Sequence, residues 1–190
     1  MTALVMLSGG VDSTASLIWA LENLKEPVHA HHIRLITHEK RNEAEWLAVA
    51  KIVVYCETVY RHFSFTTFTM DYMGLPRHPA DMVAVAFAAG QMVAMDREIQ
   101  RLLIGVCKEE GQNWPRWAHY VRLVEGAAWP AEAPELLLPF VDLPKKTAFL
   151  GLPEALQKVV WWCRTPRAEG GHFRPCKKCI TCDKMKFLED

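Results

Sequence analysis

The chain has 190 residues, 51% of them apolar, and its 22 basic and 22 acidic side chains cancel to a formal net charge of zero. That length and apolar share suit one compact domain with its own core plus a small appendage, and the charge balance argues against an extended nucleic-acid surface. No apolar run approaches a membrane span, and the first one is too short for a signal peptide, so a cytoplasmic protein that does not enter a membrane is expected.

The chain opens on an apolar run, Leu4-Val5-Met6-Leu7, which empties into Ser8-Gly9-Gly10-Val11-Asp12-Ser13-Thr14. Leu17, Ile18, Leu21 and Leu24 follow at helical spacing. A strand, two glycines and a helix start would aim unpaired N–H groups and the positive end of a helix dipole at one point, which suits an anion. The glycines allow close approach, and hydroxyls at Ser8, Ser13 and Thr14 add donors. Asp12 beside a bound phosphate calls for a cation between them, most simply Mg²⁺. No Gly-Lys-Ser/Thr follows, so this is not a Walker A loop. The bland alternative is a Gly-Gly turn with Asp12 or Ser13 as a helix N-cap.

Val28 to Thr37 reads as a second strand, with His29 and His31 on one face and His32 on the other; these are read as polar residues of a strand end. Glu39 to Ile52 reads as a helix, a strand-rich stretch follows to Phe68, and Ala80 to Met95 is a helix apolar nearly all round, hence buried. Leu102 to Val106 is a further strand. Cys56 and Cys107 sit in strand-like apolar runs and are expected to pack in the core. Tryptophans 114, 117, 129, 161 and 162 are read mainly as core or interface residues in loop-like segments, with one or two able to touch a flat ligand. Strands alternating with helices predict an α/β fold, a parallel twisted sheet with helices on both faces and ligands at the carboxyl ends of its strands.

Four of the six cysteines, Cys163, Cys176, Cys179 and Cys182, are spaced C-x12-C-x2-C-x2-C near the end of the chain. Without an export signal they read as metal ligands and not as disulfides. Four thiolates closing on Zn²⁺ would form a structural site, and the eight Lys or Arg against two acids between Lys158 and Lys186 would offset its charge of about −2. Three cysteines at two-residue gaps suit a [4Fe–4S] cluster as well.

The Ser8–Thr14 string resembles the pyrophosphate (PP) loop of the ATP pyrophosphatases. Together with the four-cysteine ending it resembles the 7-cyano-7-deazaguanine synthase family most. Pro76-Arg77, Gly105, Pro139-Phe140 with Lys145, and Trp162-Cys163 match further family segments in order. The departures are His78 for an expected Asn, Trp114-Pro115-Arg116-Trp117 where a Tyr-Pro-Asp-Cys-Arg segment stands, and no counterpart of a Gly-Gln element near Thr37-His38.

The resemblance implies an adenine-nucleotide α-hydrolase-like domain over residues 1–160 and a zinc-binding module over 161–190. It implies an ATP-dependent ligase that turns 7-carboxy-7-deazaguanine and ammonia into the nitrile through an acyl-adenylate. ATP would be held by Leu7, Ser8, Gly9, Gly10, Val11, Asp12, Ser13 and Thr14, with Mg²⁺ on Asp12. Asp12, Ser13, Lys145 and Arg77 would serve the chemistry, and Zn²⁺ would sit on Cys163, Cys176, Cys179 and Cys182. A homodimer is expected. The altered 114–117 segment motivates an alternative in which the adenylated deazaguanine passes to another amine, on a protein or a small molecule; a tRNA-modifying PP-loop enzyme is the third reading.

Overall fold

The computed structural model describes residues 1–77, 80–111 and 114–188; His78 and the ring of Trp114 lie outside the described residues. Five parallel strands form the sheet: β1 (Thr2–Met6), β2 (Val28–Ile36), β3 (Ser64–Asp71), β4 (Ile99–Ile104) and β5 (Glu135–Leu137), in the order β3-β2-β1-β4-β5. The short β1 is central, with Met6 level with His31 on one side and Ile104 on the other. Its residues alternate between the two faces, as the period of a strand requires. Ala3, Val5 and Leu7 face one core with α1 (Val11–Asn23) and α2 (Asn42–Val59); Leu4 and Met6 face the other with α3 (Asp81–Met95) and α5 (Trp114–Ala128). Helices therefore cover both sides, as the alternation of the sequence predicts. No helix among the described residues is long and apolar enough to cross a membrane.

Three local expectations are corrected. The helix expected to stop at Ile52 continues to Val59, so Cys56 is a buried helical residue and not part of a strand. Ala48, Val49, Ile52, Val53 and Cys56 recur at helical spacing and are all buried, so tertiary packing overrides the β preference of Ile52-Val53-Val54. The 81–95 helix is not buried all round. Its alanines and Gly90 pack inward on α5, while Phe87 is 49% and Met95 79% exposed. The tryptophan-rich segment is no loop: Pro115 occupies the first turn of α5, where a missing N–H costs nothing, and Trp117, Tyr120, Val124 and Ala128 form its buried stripe.

Two further features position the site. Arg61 donates to the carbonyls of Leu21, Leu24 and Glu26 at 2.8–2.9 Å, satisfying acceptors that the end of α1 leaves open. Beyond β5 the chain forms three short helices, α4 (Lys108–Gly111) having preceded them: α6 (Lys145–Leu150), α7 (Glu154–Gln157) and α8 (Ile180–Lys184), with an antiparallel hairpin of β6 (Arg167–Glu169) and β7 (His172–Arg174) between the last two.

Candidate active site and metal centre

The loop after β1 turns through Gly9 at φ +80°, a conformation that favours glycine, and a Cβ there would meet Val49 Cγ2 at 3.0 Å. Gly10 is the N-cap of α1 and makes no side-chain cap, so neither Asp12 nor Ser13 serves as the cap of an ordinary turn. The first turn of a 13-residue helix, whose N–H groups lack intrahelical acceptors, thus lines a cleft of about 450 Å³ at the carboxyl ends of the strands. Ser8 N–H donates to Ser13 Oγ at 3.1 Å, and the two hydroxyls lie 3.0 Å apart. Leu7 is spent on the sheet, its N–H donating to the His31 carbonyl at 2.8 Å, and Val11 is a buried apolar residue at the cleft wall. Thr14 is fully buried and donates its hydroxyl to the Gly10 carbonyl at 2.7 Å, so the donor expected from it is used within the helix.

Gly105 makes the loop's position possible. It follows β4, and a Cβ at this residue would lie 2.3 Å from Ser13 N and 2.4 Å from the Asp12 carbonyl carbon. The backbone of β4 and the start of α1 pass each other with no room for a side chain.

Asp12 is 7% exposed and already has a cation, Lys145, whose Nζ lies 3.0 Å from Oδ2; the Cys107 thiol donates to Oδ1 at 3.2 Å. Burial pushes the Asp12 carboxyl up more than Lys145 pulls it down. Burial works against the charge of Lys145, but the two carboxylates beside it more than compensate and hold its pKa above the usual range. Cys107 is fully buried, and burial next to Asp12 raises its pKa, so it is a thiol donor and not a nucleophile. Lys145 is fixed at three points. Its backbone N–H donates to both oxygens of Glu109 at 3.1 Å, and its Nζ also reaches Glu110 Oε1 at 3.2 Å. The same Glu110 oxygen takes Lys184 Nζ from α8 at 2.8 Å.

The opposite wall carries a charge cluster that sequence reading missed. Arg41, only 8% exposed, lies 2.6 Å from Asp81, 3.1 Å from Glu39 and 3.4 Å from Glu45. Arg164, one residue past Cys163, reaches Glu39 at 2.9 Å and Asp81 at 3.4 Å. Burial lifts the Glu45 carboxyl to about 7. The contiguity of Glu39, Arg41 and Glu45 was visible in the sequence, but Asp81 and Arg164 join them only in space. Arg77 is exposed between β3 and α3 and does not line the cleft; Arg41, Arg116 and Arg164 do.

His31 and His32 also line the cleft, on opposite faces of β2. His31 Nδ1 pairs with Thr66 Oγ1 at 2.7 Å, the hydroxyl that His29 Nε2 also meets, while His32 Nδ1 donates to the Leu7 carbonyl at 2.8 Å and stacks on Trp46. Burial drops both His31 and His32 to about 4, so they are neutral at physiological pH. Met82, Val85, Ile104, Trp117 and Tyr120 make the far end of the cleft apolar, and Arg116 donates there to Tyr120 Oη at 2.6 Å.

The tail closes over the loop. Trp161 N–H donates to the Gly9 carbonyl at 2.8 Å, and the four sulfurs of Cys163, Cys176, Cys179 and Cys182 then come within 4.8 Å of one another. Four thiolates on one zinc at about 2.3 Å would stand about 3.8 Å apart; Cys176 and Cys182 are 3.9 Å apart. Backbone N–H groups point at the sulfurs, Cys176 N to Cys163 at 3.1 Å, Cys179 N to Cys176 at 3.3 Å and Cys182 N to Cys179 at 3.5 Å. The Thr165 hydroxyl and the N–H groups of Lys178 and Cys179 pull the Cys176 thiol down to about 5, while burial pushes the Cys163 and Cys182 thiols up, so an incoming metal would have to displace protons from those two. The donor set is thus one that can bind a metal ion.

No protein-family model matches the sequence, and no curated protein matches it by sequence. Among solved structures, the U34-tRNA thiolase NcsA from Methanococcus maripaludis, determined with its [4Fe-4S] cluster, is similar with a TM-score of 0.57 at 12% identity. The likeness covers 100% of this chain and 65% of that one, so the chain spans just under two thirds of that protein's length. At this identity the similarity establishes the fold alone: a five-stranded parallel sheet with helices on both faces, shared with that structure.

Proposed function

We propose that the chain is an ATP-dependent ligase that cleaves ATP between its α and β phosphates and activates a carboxylate by adenylation. The observation that carries this reading is the Ser8–Ser13 loop: Gly9 at positive φ, an uncapped helix start, and Asp12 beside Lys145 in one cleft. The N–H groups of the loop and the hydroxyls of Ser8 and Ser13 would hold the departing pyrophosphate, and Lys145 would offset its charge. Asp12 Oδ2 pairs with Lys145 and Oδ1 accepts from Cys107, so Mg²⁺ brought in on the ATP phosphates would be held by Asp12 in place of one of these partners and would supply further charge stabilisation. The apolar end of the cleft, with Trp117 and Tyr120, suits a flat heterocycle.

On this reading the substrate is 7-carboxy-7-deazaguanine. Its carboxylate attacks the α phosphate and expels pyrophosphate; ammonia displaces AMP to give the amide. A second adenylation on the amide oxygen and loss of AMP leave 7-cyano-7-deazaguanine. Adenylation is needed because a free carboxylate has no leaving group at neutral pH. No side-chain nucleophile is required, in keeping with the protonated, buried Cys107. The four sulfurs lie closer than a cubane with one iron per cysteine would spread them, which supports one Zn²⁺ as a structural ion. Arg116 motivates the alternative acceptor: it lines the cleft where the resembling family has an acid, removing an acceptor for guanine-like N–H groups.

Incubation with the acid, ATP, Mg²⁺ and ammonia should yield AMP, pyrophosphate and the nitrile by mass spectrometry. AMP without nitrile, and a new amide on an added amine or protein, would move the reading to conjugation. AMP formation that requires tRNA and not the acid would replace both with a tRNA-modifying activity.

A further inference from the structure

The chain of alternating charges that runs from the loop into the four-cysteine module assigns a role to residues outside the loop. Asp12, Lys145, Glu110 and Lys184 follow one another at 3.0, 3.2 and 2.8 Å, and the two ammonium groups share one oxygen, Glu110 Oε1. Lys145 and Asp12 have side chains only 12% and 10% exposed, so the competition for Lys145 takes place where charge is poorly screened. Glu109 and Glu110 are consecutive residues of α4. The first fixes the backbone of Lys145 and the second pulls on its side chain, away from Asp12. An ammonium held fully by Glu110 is one that an incoming phosphate has to win back.

We propose that Lys184, and through it the four-cysteine module, positions Lys145: by occupying the shared oxygen of Glu110, it keeps the Lys145 ammonium available on the pyrophosphate side of the cleft. Lys184 ends α8, a five-residue helix whose N-cap is Cys179, with Cys182 N–H donating to the Cys179 sulfur. So short a helix has no stability of its own, and the location of Lys184 is set by the two cysteines that precede it, Cys179 at the N-cap and Cys182 within the helix. The module is then a part of the phosphate site and not only a clasp on the fold. Lys184 is a positioning residue, acting on the reacting groups through Glu110 and Lys145. This inference rests on the pyrophosphate reading of the loop but not on the identity of the substrate acid.

The test is a double-mutant cycle on the metal-loaded protein, with Lys184→Met, Lys184→Arg, Glu110→Gln and the Glu110→Gln/Lys184→Met pair. The readouts are binding of Mg²⁺–pyrophosphate by calorimetry and the kcat and KM for AMP formation. Metal content and melting temperature are followed for each variant. Lys184→Met should weaken pyrophosphate binding and lower kcat about tenfold, within the range for coupled neighbours, with the KM for ATP within a factor of two. Lys184→Arg should restore most of the loss. With Glu110→Gln as the baseline, adding Lys184→Met should cost no more than a factor of two, because the pull that Lys184 offsets is gone.

Wild-type affinity and kcat in a metal-replete Lys184→Met, or a further tenfold loss on the Glu110→Gln background, overturns the inference while leaving the ATP reading intact. A wild-type protein that binds pyrophosphate but makes no AMP from the acid overturns the substrate reading, and the binding cycle still decides the role of Lys184. If Lys184→Met loses its metal, Lys184→Gln takes its place in the same cycle, with the same two outcomes.

Discussion

Replacing three glycines by alanine should separate the packing of the fold from the geometry of the cleft. At Gly105 the new methyl would lie 2.3 Å from Ser13 N, 2.4 Å from the Asp12 carbonyl carbon and 2.5 Å from Ser13 Cα. All three are backbone atoms, so no side chain can swing aside. Restoring ordinary contact requires the start of α1 to retreat by about 1 Å. Overpacking of this kind costs about 1–3 kcal/mol, which at this chain length is a fall of roughly 2–12 °C in melting temperature. The same displacement carries Asp12 away from Lys145 and Cys107, its neighbours at 3.0 and 3.2 Å. A misplacement of about 1 Å costs on the order of a hundredfold in rate, so AMP formation should fall to about 1% in Gly105→Ala.

Gly90→Ala meets Ala127 Cβ at 2.5 Å and the Val124 carbonyl at 2.6 Å, at the contact of α3 with α5. It should lose comparable stability but retain the turnover of whatever fraction is folded. A methyl at Gly126 meets nothing within 4 Å, and in a helix interior that exchange is expected to stabilise by about 0.5–1 kcal/mol. Melting curves and AMP release on the three purified variants make the comparison. A Gly105→Ala protein with wild-type turnover would refute the claim that the close pass of β4 and α1 sets the phosphate site.

His31 and His32 sit at about 4 when folded against an ordinary value of 6.5, so the unfolded chain binds more protons between those values. Each ring should therefore lower stability as pH drops from 6.5 towards 4, by up to about 1.4 kcal/mol per pH unit, while Glu45, held at about 7 against 4.5, takes up a proton on folding and offsets one of them over the same window; denaturant melts of the wild type and of His31→Gln at pH 7.5, 6 and 5 check this, and an equal pH slope in the two contradicts it. Elemental analysis should find about one zinc per chain, and Cys179→Ser should lower the melting temperature; iron with labile sulfide would reverse the assignment. We expect a homodimer by light scattering, since Phe87, Met95 and Trp129 are 49%, 79% and 80% exposed; a monomer mass at micromolar concentration argues against it.

The fold was legible because its signals are local. The Gly9-Gly10 turn, the β1 and β4 runs and the cysteine spacing each depend on neighbours in the chain. What stayed hidden depends on partners brought from afar. Nothing in the 39–45 segment announces that Arg41 will meet Asp81, and nothing near residue 184 points to Glu110, 74 positions earlier. Lys145 was picked out through a family likeness, and only the structure puts it on Asp12. The helical state of Trp114–Ala128 is hidden in the sequence because Pro115 and its neighbouring tryptophans read as core or interface residues of a loop-like segment, whereas the stripe from Trp117 to Ala128 finds its burial on α3.

The hydrogen bond from Trp161 N–H to the Gly9 carbonyl has a consequence for the order in which the molecule is made. Gly9 is translated about 150 positions before its partner, an interval on the order of ten seconds at ordinary elongation rates. Through that interval the loop can bend and α1 can form, but the strap that fixes Gly9 does not exist. A nascent or prematurely terminated chain could therefore assemble most of the sheet and still hold a slack loop after β1. Arrival of the segment around Trp161, more than collapse of the core, would be the moment at which the loop reaches its fixed geometry.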